Sequence, residues 1–175
     1  ARENRLGLPA VDRAIVVLVD GLGSEALKAS AGHARTLAGA LTTRSVIESG
    51  FPTTTAAALG SLATGALPGR HGLVGYSVFD AAHDRVVNQL TGWDGRLDPA
   101  TWQLERTVFE RAAEQGVSSV AIGPGRYRDS GFSQAVLRGA SYVGAASINE
   151  RMARSRDVIE EPSGPSLVYV YVPEL

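Results

Sequence analysis

Six consecutive apolar residues, Ala-Ile-Val-Val-Leu-Val at 14–19, do most to restrict what this chain folds into. The run is short, rich in β-branched side chains and free of alternation, the pattern of a strand buried on both faces. A second run, Leu-Val-Tyr-Val-Tyr-Val at 167–172, is the strongest strand in the chain. Between them, helical and extended patterns take turns. A helical pattern runs from Ser24 to about Ala29, breaks at 30–32 and resumes to about Leu41, and 44–49 reads as the next strand. Thr107 and Glu110 make a capping box for a helix that Gly116 stops. A strand at 118–122, a helix near 133–138 and a short strand at 141–143 follow. Ser147 with Glu150 opens a helix reaching about Arg156, and a polar Glu-Glu-Pro-Ser-Gly-Pro turn at 160–165 leads into the last strand. This alternation predicts an α/β fold with a largely parallel sheet sandwiched between helices. Residues 76–103, a hairpin (76–80 and 85–90) followed by a segment holding Trp93 and Trp102, read as an excursion rimming the site.

The chemistry is concentrated in Phe51-Pro-Thr-Thr-Thr-Ala-Ala-Ala-Leu-Gly-Ser-Leu-Ala-Thr-Gly65. Gly50 and Pro52 punctuate the end of an extended run, three threonines follow, and Gly65 sits where a helix end is expected. Thr55 falls at the first turn, where free backbone N–H groups and the positive helix end favour an alkoxide or a bound phosphate. A plain helix N-cap is the other reading, since threonine performs that task routinely.

The strand at 14–19 ends in Asp20-Gly-Leu-Gly23. Open α/β sheets carry their chemistry at the carboxyl ends of strands. Neighbouring parallel strands lie about 4.8 Å apart, so groups just beyond two adjacent strand ends can share one metal ion. Asp20 suits Zn²⁺ or Mn²⁺ as an oxygen ligand, and such an ion would lower the pKa of the Thr55 hydroxyl. Asp20 equally fits a turn or cap position before Gly21. A rival from another class is a dinucleotide-binding module. Gly21, Gly23 and Ala26 satisfy G-x-G-x-x-A after a strand, with Glu48 as the ribose ligand. Asp20 beside a pyrophosphate argues against it, because a like charge there needs an offsetting cation.

With 17 basic and 18 acidic residues in 175, the chain has no sequence-independent grip on a nucleic acid polymer. It lacks cysteine, which excludes disulfides and thiolate metal sites. No apolar run approaches the ~20 residues that span a bilayer, and Ala-Arg-Glu-Asn-Arg at the start precedes no signal core. No membrane association is therefore expected, and a cytoplasmic location is slightly favoured. His71 reads as a solvated or second-shell histidine, while His33 and His83 read as surface residues. Arg126 and Arg128 read as a solvated pair with a phosphate contact as the alternative. Trp93 and Trp102 read as packing residues, with stacking on a base or aglycone as the alternative.

The combination Val-Leu-Val-Asp20-Gly, Phe-Pro-Thr-Thr-Thr55, Ala-Thr64-Gly65 and Pro68-Gly-Arg-His71-Gly72 resembles the alkaline phosphatase superfamily, type I phosphodiesterase/nucleotide pyrophosphatase branch. Thr107-Val-Phe-Glu-Arg-Ala-Ala and Leu-Val-Tyr-Val-Tyr-Val-Pro also resemble bacterial members. The resemblance implies an alkaline-phosphatase-like fold, with residues 1–175 as the amino-terminal part of a single phosphoesterase domain. It implies two divalent metal ions, zinc or manganese, with Asp20 as a ligand and Thr55 as nucleophile and ligand. Thr64 lies nine residues beyond Thr55, the family spacing, which selects Thr55 over Thr53 and Thr54. A small-molecule phosphoester or nucleotide is the implied substrate, and a phospho-enzyme the implied intermediate. Two departures stand out. Ala56-Ala57-Ala58 replace the family's Phe-Pro-Asn after the nucleophile, removing an amide that holds a phosphate oxygen. The remaining family metal ligands would follow Leu175, so a non-catalytic fragment retaining the fold is a further expectation.

Overall fold

The structure, a computed structural model, describes residues 6–161 and 164–175. In chain order the elements are β1 (Arg13–Val19), α1 (Ser24–Ala29), α2 (Arg35–Gly39), α3 (Thr55–Thr64), α4 (Pro68–His71), β2 (Ser77–Asp80) and β3 (Arg85–Asn88). They continue with α5 (Pro99–Trp102), α6 (Val108–Glu114), β4 (Ser118–Gly123), α7 (Gly131–Val136), β5 (Ser141–Gly144), α8 (Ile148–Glu160) and β6 (Ser166–Val172). Four strands form one sheet in the order β1-β6-β4-β5, and every pairing in it is parallel. β2 and β3 pair antiparallel as a separate hairpin.

Period-two alternation along β6 divides the core. Leu167, Tyr169 and Tyr171 face one side with Ala121, Phe109 and Phe132, under α3, α6 and α7. Val168, Val170 and Val172 face the other with Ile122 and Val143, under Met152, Val158 and Ile159 of α8. The result is an α/β/α layering in which β6 is central and buried. The start of α6 is fixed as the sequence indicates. Thr107 and Glu110 complete their capping box, and Thr107 Oγ1 also donates to the Arg138 carbonyl at 2.5 Å.

Three expectations need correction. Residues 44–49 form no strand; they are exposed, with a Thr42–Ser45 turn closed by reciprocal side-chain and backbone bonds. β-Branched composition alone did not supply a pairing partner there. β1 is not buried on both faces: among the described residues it is an edge strand paired only to β6, and Ile15, Val16 and Val17 remain 42%, 41% and 45% exposed. α8 runs on to Glu160 rather than stopping near Arg156. The initial Ala-Arg-Glu-Asn-Arg and part of the expected turn at 160–165 lie outside the described residues.

The hairpin excursion is fastened to the body by buried polar groups. Gln89 is fully buried, accepts from Val74 and Gly75 N–H groups and donates to the Gly72 carbonyl. Trp93 donates to the Gln89 carbonyl, Trp102 donates to the Gly72 carbonyl, and both rings pack on the core. The tryptophans are therefore packing residues here.

Candidate functional site at the end of the first strand

α3 begins at Thr55, after a cis Phe51–Pro52 peptide. Its N-cap is Thr54, whose side chain accepts from the Ala57 N–H at 3.4 Å. Thr55 is the first helical residue. The two roles weighed for the threonine run are thus divided between neighbours: one caps, and the other has a hydroxyl to spare. At its far end α3 closes on Gly65 in a left-handed conformation (φ 66°), whose N–H bonds the Ser61 carbonyl. Arg111 donates to the Thr64 carbonyl as well.

Asp20 is the first residue past β1, and its N–H continues the ladder to the Val172 carbonyl of β6 at 2.9 Å. That bond aims the carboxylate across the carboxyl edge of the sheet. Thr55 Oγ1 donates to Asp20 Oδ2 at 3.4 Å, so the two predicted site residues do meet. They meet by a different route from adjacent strand ends, since the strand expected before Thr55 does not form and β1 pairs with β6.

Two tyrosines join them that the sequence reading did not single out. Tyr171 donates to Asp20 Oδ2 at 2.6 Å, because the register pairs Leu18 with Tyr171 and Val19 with Val172. Tyr76, at the mouth of the hairpin, places its hydroxyl 3.4 Å from Thr55 Oγ1. Tyr171 alternates with Tyr169 on one face of β6, which was the available signal. Burial, reinforced by the Asp20 carboxylate, raises the Tyr169 and Tyr171 phenols well above the usual tyrosine range, so both stay protonated donors. Burial also raises Tyr142.

The supporting elements are tied together by buried polar groups. His71 is fully buried, which corrects the solvated reading. Its Nδ1 accepts from Leu73 N–H at 3.1 Å, so Nε2 carries the proton toward Ser61 Oγ, 3.0 Å away on α3. Burial lowers its pKa below the ordinary histidine value, against an opposing pull from Glu105. Arg151, 1% exposed, donates to the Ala145, Ala146 and Tyr171 carbonyls and forms a two-pronged pair with Glu174 at 2.6 and 2.9 Å. It pins the end of β6, and with it Tyr171. His33 and His83 are exposed as expected. Arg126 and Arg128 are exposed too, with Arg126 lying over the Tyr127 ring.

As donors to a divalent ion, Asp20 and Thr55 supply two oxygens of suitable chemistry. No group of three or more His, Cys, Asp or Glu side chains able to hold a metal occurs among the described residues. Asp20 and Thr55 thus fit one side of a metal site. The dinucleotide alternative loses its support: Glu48 lies in the exposed stretch rather than at a strand end, and α1 buries no residue. No helix among the described residues is long and apolar enough to cross a membrane.

Residues 14–175 match the family model for type I phosphodiesterase/nucleotide pyrophosphatase. Comparison with curated proteins gave no match. Among solved structures, the chain is similar to murine ectonucleotide pyrophosphatase/phosphodiesterase 5 in an inactive threonine-to-alanine form in complex with AMP. That likeness has a TM-score of 0.61 at 16% identity, over 91% of this chain and 42% of that one. A second structure of the murine protein gives a TM-score of 0.61 at 17% identity, over 91% and 43%. At such identity the likeness is one of fold, and this chain spans less than half the length of those solved chains.

Proposed function

The chain belongs to the type I phosphodiesterase/nucleotide pyrophosphatase family, and on that premise we propose that it serves hydrolysis of small phosphoesters with Thr55 as nucleophile. The observation that carries the reading is the division of labour at the start of α3. Thr54 satisfies the helix end, and Thr55 turns its hydroxyl to within 3.4 Å of the Asp20 carboxylate. The murine neighbour described as inactive carries a threonine-to-alanine change, which agrees with a threonine role, and its bound AMP agrees with a nucleotide-sized phosphoester.

Asp20 and Thr55 are the residues that would hold a divalent ion, zinc by family likeness with manganese as the alternative. Bound there, it would supply Lewis acidity that makes the Thr55 hydroxyl a nucleophile near neutral pH. The chain's own residues do the rest. Tyr171 holds Asp20 Oδ2 in place, and Asp20 orients the Thr55 hydroxyl, which attacks phosphorus in line. The first-turn N–H groups of α3 face the developing negative charge. Tyr76 takes over the task of the missing amide as a neutral donor to a phosphoryl oxygen. As the Thr55 oxygen bonds to phosphorus it loses its proton and the opposite phosphorus–oxygen ester bond breaks, releasing the alcohol; water then cleaves the phosphoryl-threonine bond, freeing the phosphorylated product and restoring the Thr55 hydroxyl.

Hydrolysis of bis(p-nitrophenyl) phosphate and p-nitrophenyl phosphate, with Zn²⁺ or Mn²⁺ supplied, tests the reading. Acid-quenched protein should carry phosphate on Thr55 from the monoester and p-nitrophenyl phosphate from the diester, read by peptide mass spectrometry. Turnover should vanish in Thr55→Ala and persist in Thr53→Ala. Wild-type turnover in Thr55→Ala would end the assignment.

A further inference from the structure

Tyr76 reaches Thr55 from an exposed position. It is 48% exposed, and its hydroxyl lies 3.4 Å from Thr55 Oγ1, close to the limit of a hydrogen bond. A side chain so placed is aimed by its backbone more than by packing. That backbone is gripped by Gln89, the residue just past β3 on the opposite limb of the hairpin. The Gln89 N–H donates to the Tyr76 carbonyl at 2.7 Å, one step beyond the Ser77–Asn88 pair. Its side-chain oxygen accepts from the Val74 and Gly75 N–H groups at 2.8 and 3.2 Å, and its side-chain nitrogen donates to the Gly72 carbonyl at 2.8 Å. Gln89 is itself fully buried, and its carbonyl takes the Trp93 indole N–H at 2.6 Å. We propose that Gln89 is a positioning residue for phosphoryl transfer, acting through Tyr76.

The inference rests on the phosphoesterase reading, in which Tyr76 donates to a phosphoryl oxygen. A carboxamide holds its acceptor and its donors in one plane, so a single side chain reads two N–H groups and a carbonyl and sets the register of 72–75. An apolar side chain of the same volume would fill the space and fix no register. Without the amide, the Val74 and Gly75 N–H groups must turn to other partners, and the segment carrying Tyr76 shifts with them. Reacting geometry tolerates little of this: a misplacement of about 1 Å costs on the order of 100-fold in rate. A contact already at 3.4 Å has no slack to give.

The experiment is a double-mutant cycle on the full chain, hydrolysing bis(p-nitrophenyl) phosphate with Zn²⁺ supplied. Tyr76→Phe should lower kcat by about 10- to 100-fold, at or below the value of a preorganised oxyanion donor, with KM little changed. Gln89→Met should lose a similar factor, and the double variant no more than either single, because both remove one contact. Gln89→Asn, the same amide one methylene shorter, replaces the methionine variant if that one does not fold. Asn88→Ala removes the acceptor for the Leu90 and Thr91 N–H groups one residue away, and should lower the melting midpoint while leaving kcat unchanged. Losses at Tyr76 and Gln89 that multiply, or a fall in kcat for Asn88→Ala as large as for Gln89→Met, would overturn the proposal. A second readout needs no turnover. With tyrosine carrying ¹³C at Cζ, Thr55→Val should shift the Tyr76 resonance in the otherwise native chain and leave it unmoved in Gln89→Met. An equal shift in both would also overturn it. If no ester is hydrolysed and that contrast is still seen, the reaction proposed for Thr55 fails and Gln89 stands as the residue that places Tyr76.

Discussion

Gly60, in the middle of α3, offers a test of how tightly the nucleophile's helix is held. A Cβ there would lie 2.6 Å from His71 Cε1, 2.8 Å from Nδ1 and 3.0 Å from Leu73 Cδ1. In an open helix Gly→Ala stabilises by about 1 kcal/mol through backbone entropy. The imidazole cannot step aside, being fully buried and bonded at both nitrogens, to Ser61 and to Leu73 N–H. Overpacking of this kind costs about 1–3 kcal/mol, and a displaced ring loses a hydrogen bond worth about 1 kcal/mol. The steric cost wins, and Gly60→Ala should lose about 2 kcal/mol net, which in a chain of this size lowers Tm by roughly 4–8 °C. In a His71→Ala background only Leu73 Cδ1 at 3.0 Å still crowds the new Cβ, so the same substitution should lose most of its penalty and come out near neutral. Urea unfolding of the four chains gives the coupling, about 2 kcal/mol. A stabilised Gly60→Ala single variant, or an undiminished penalty without His71, would refute the argument.

Thr54→Ala should cost about 1 kcal/mol of stability by loss of the cap while retaining turnover, whereas Thr55→Ala should keep the unfolding midpoint and lose hydrolysis; paired melts and rates separate them. Arg151→Met strands the Ala145, Ala146 and Tyr171 carbonyls and should lose about 3 kcal/mol in urea unfolding, the low end for a broken buried pair because Glu174 remains partly hydrated. Arg151 holds the Glu174 carboxyl below its ordinary value, so the stabilisation is complete above the unfolded glutamate pKa and is lost as pH falls through the folded one. Glu174→Gln should flatten that acid limb. His71 behaves in the same direction for a different reason. Buried neutral, it has a depressed pKa, so an unfolded chain takes up a proton that the folded one refuses, and stability falls as pH drops below about 6.5. His71→Asn should remove that part of the slope.

The layering of the fold was legible because it is a local signal repeated along the chain. The β-branched runs, Thr107 with Glu110, and Gly65 each act within a few residues of themselves. That Thr55 and Asp20 would lie side by side was anticipated through motif and spacing. What stayed hidden was set by strand order. Nothing near Leu167-Val-Tyr-Val-Tyr-Val says that it lies against β1, yet that pairing puts Tyr171 on Asp20 and makes β1 an edge. Residues 44–49 failed for the same reason in reverse, since a β-branched stretch is a strand only if another strand accepts it. His71 looked solvated because its neighbours Arg70 and Gly72 are a loop's residues, while its burial comes from packing over Gly60. Tyr76 left no trace, being one more aromatic at the start of a hairpin.

The open side of β1 has a practical bearing on handling the molecule. Backbone groups along that strand are paired on the β6 side alone among the described residues, and Ile15, Val16 and Val17 meet water in its middle. Such an edge is a template for any extended peptide that drifts past it. Turbidity of this polypeptide should therefore rise with protein concentration, and a charge in the middle of that edge, as in Val16→Lys, should slow it.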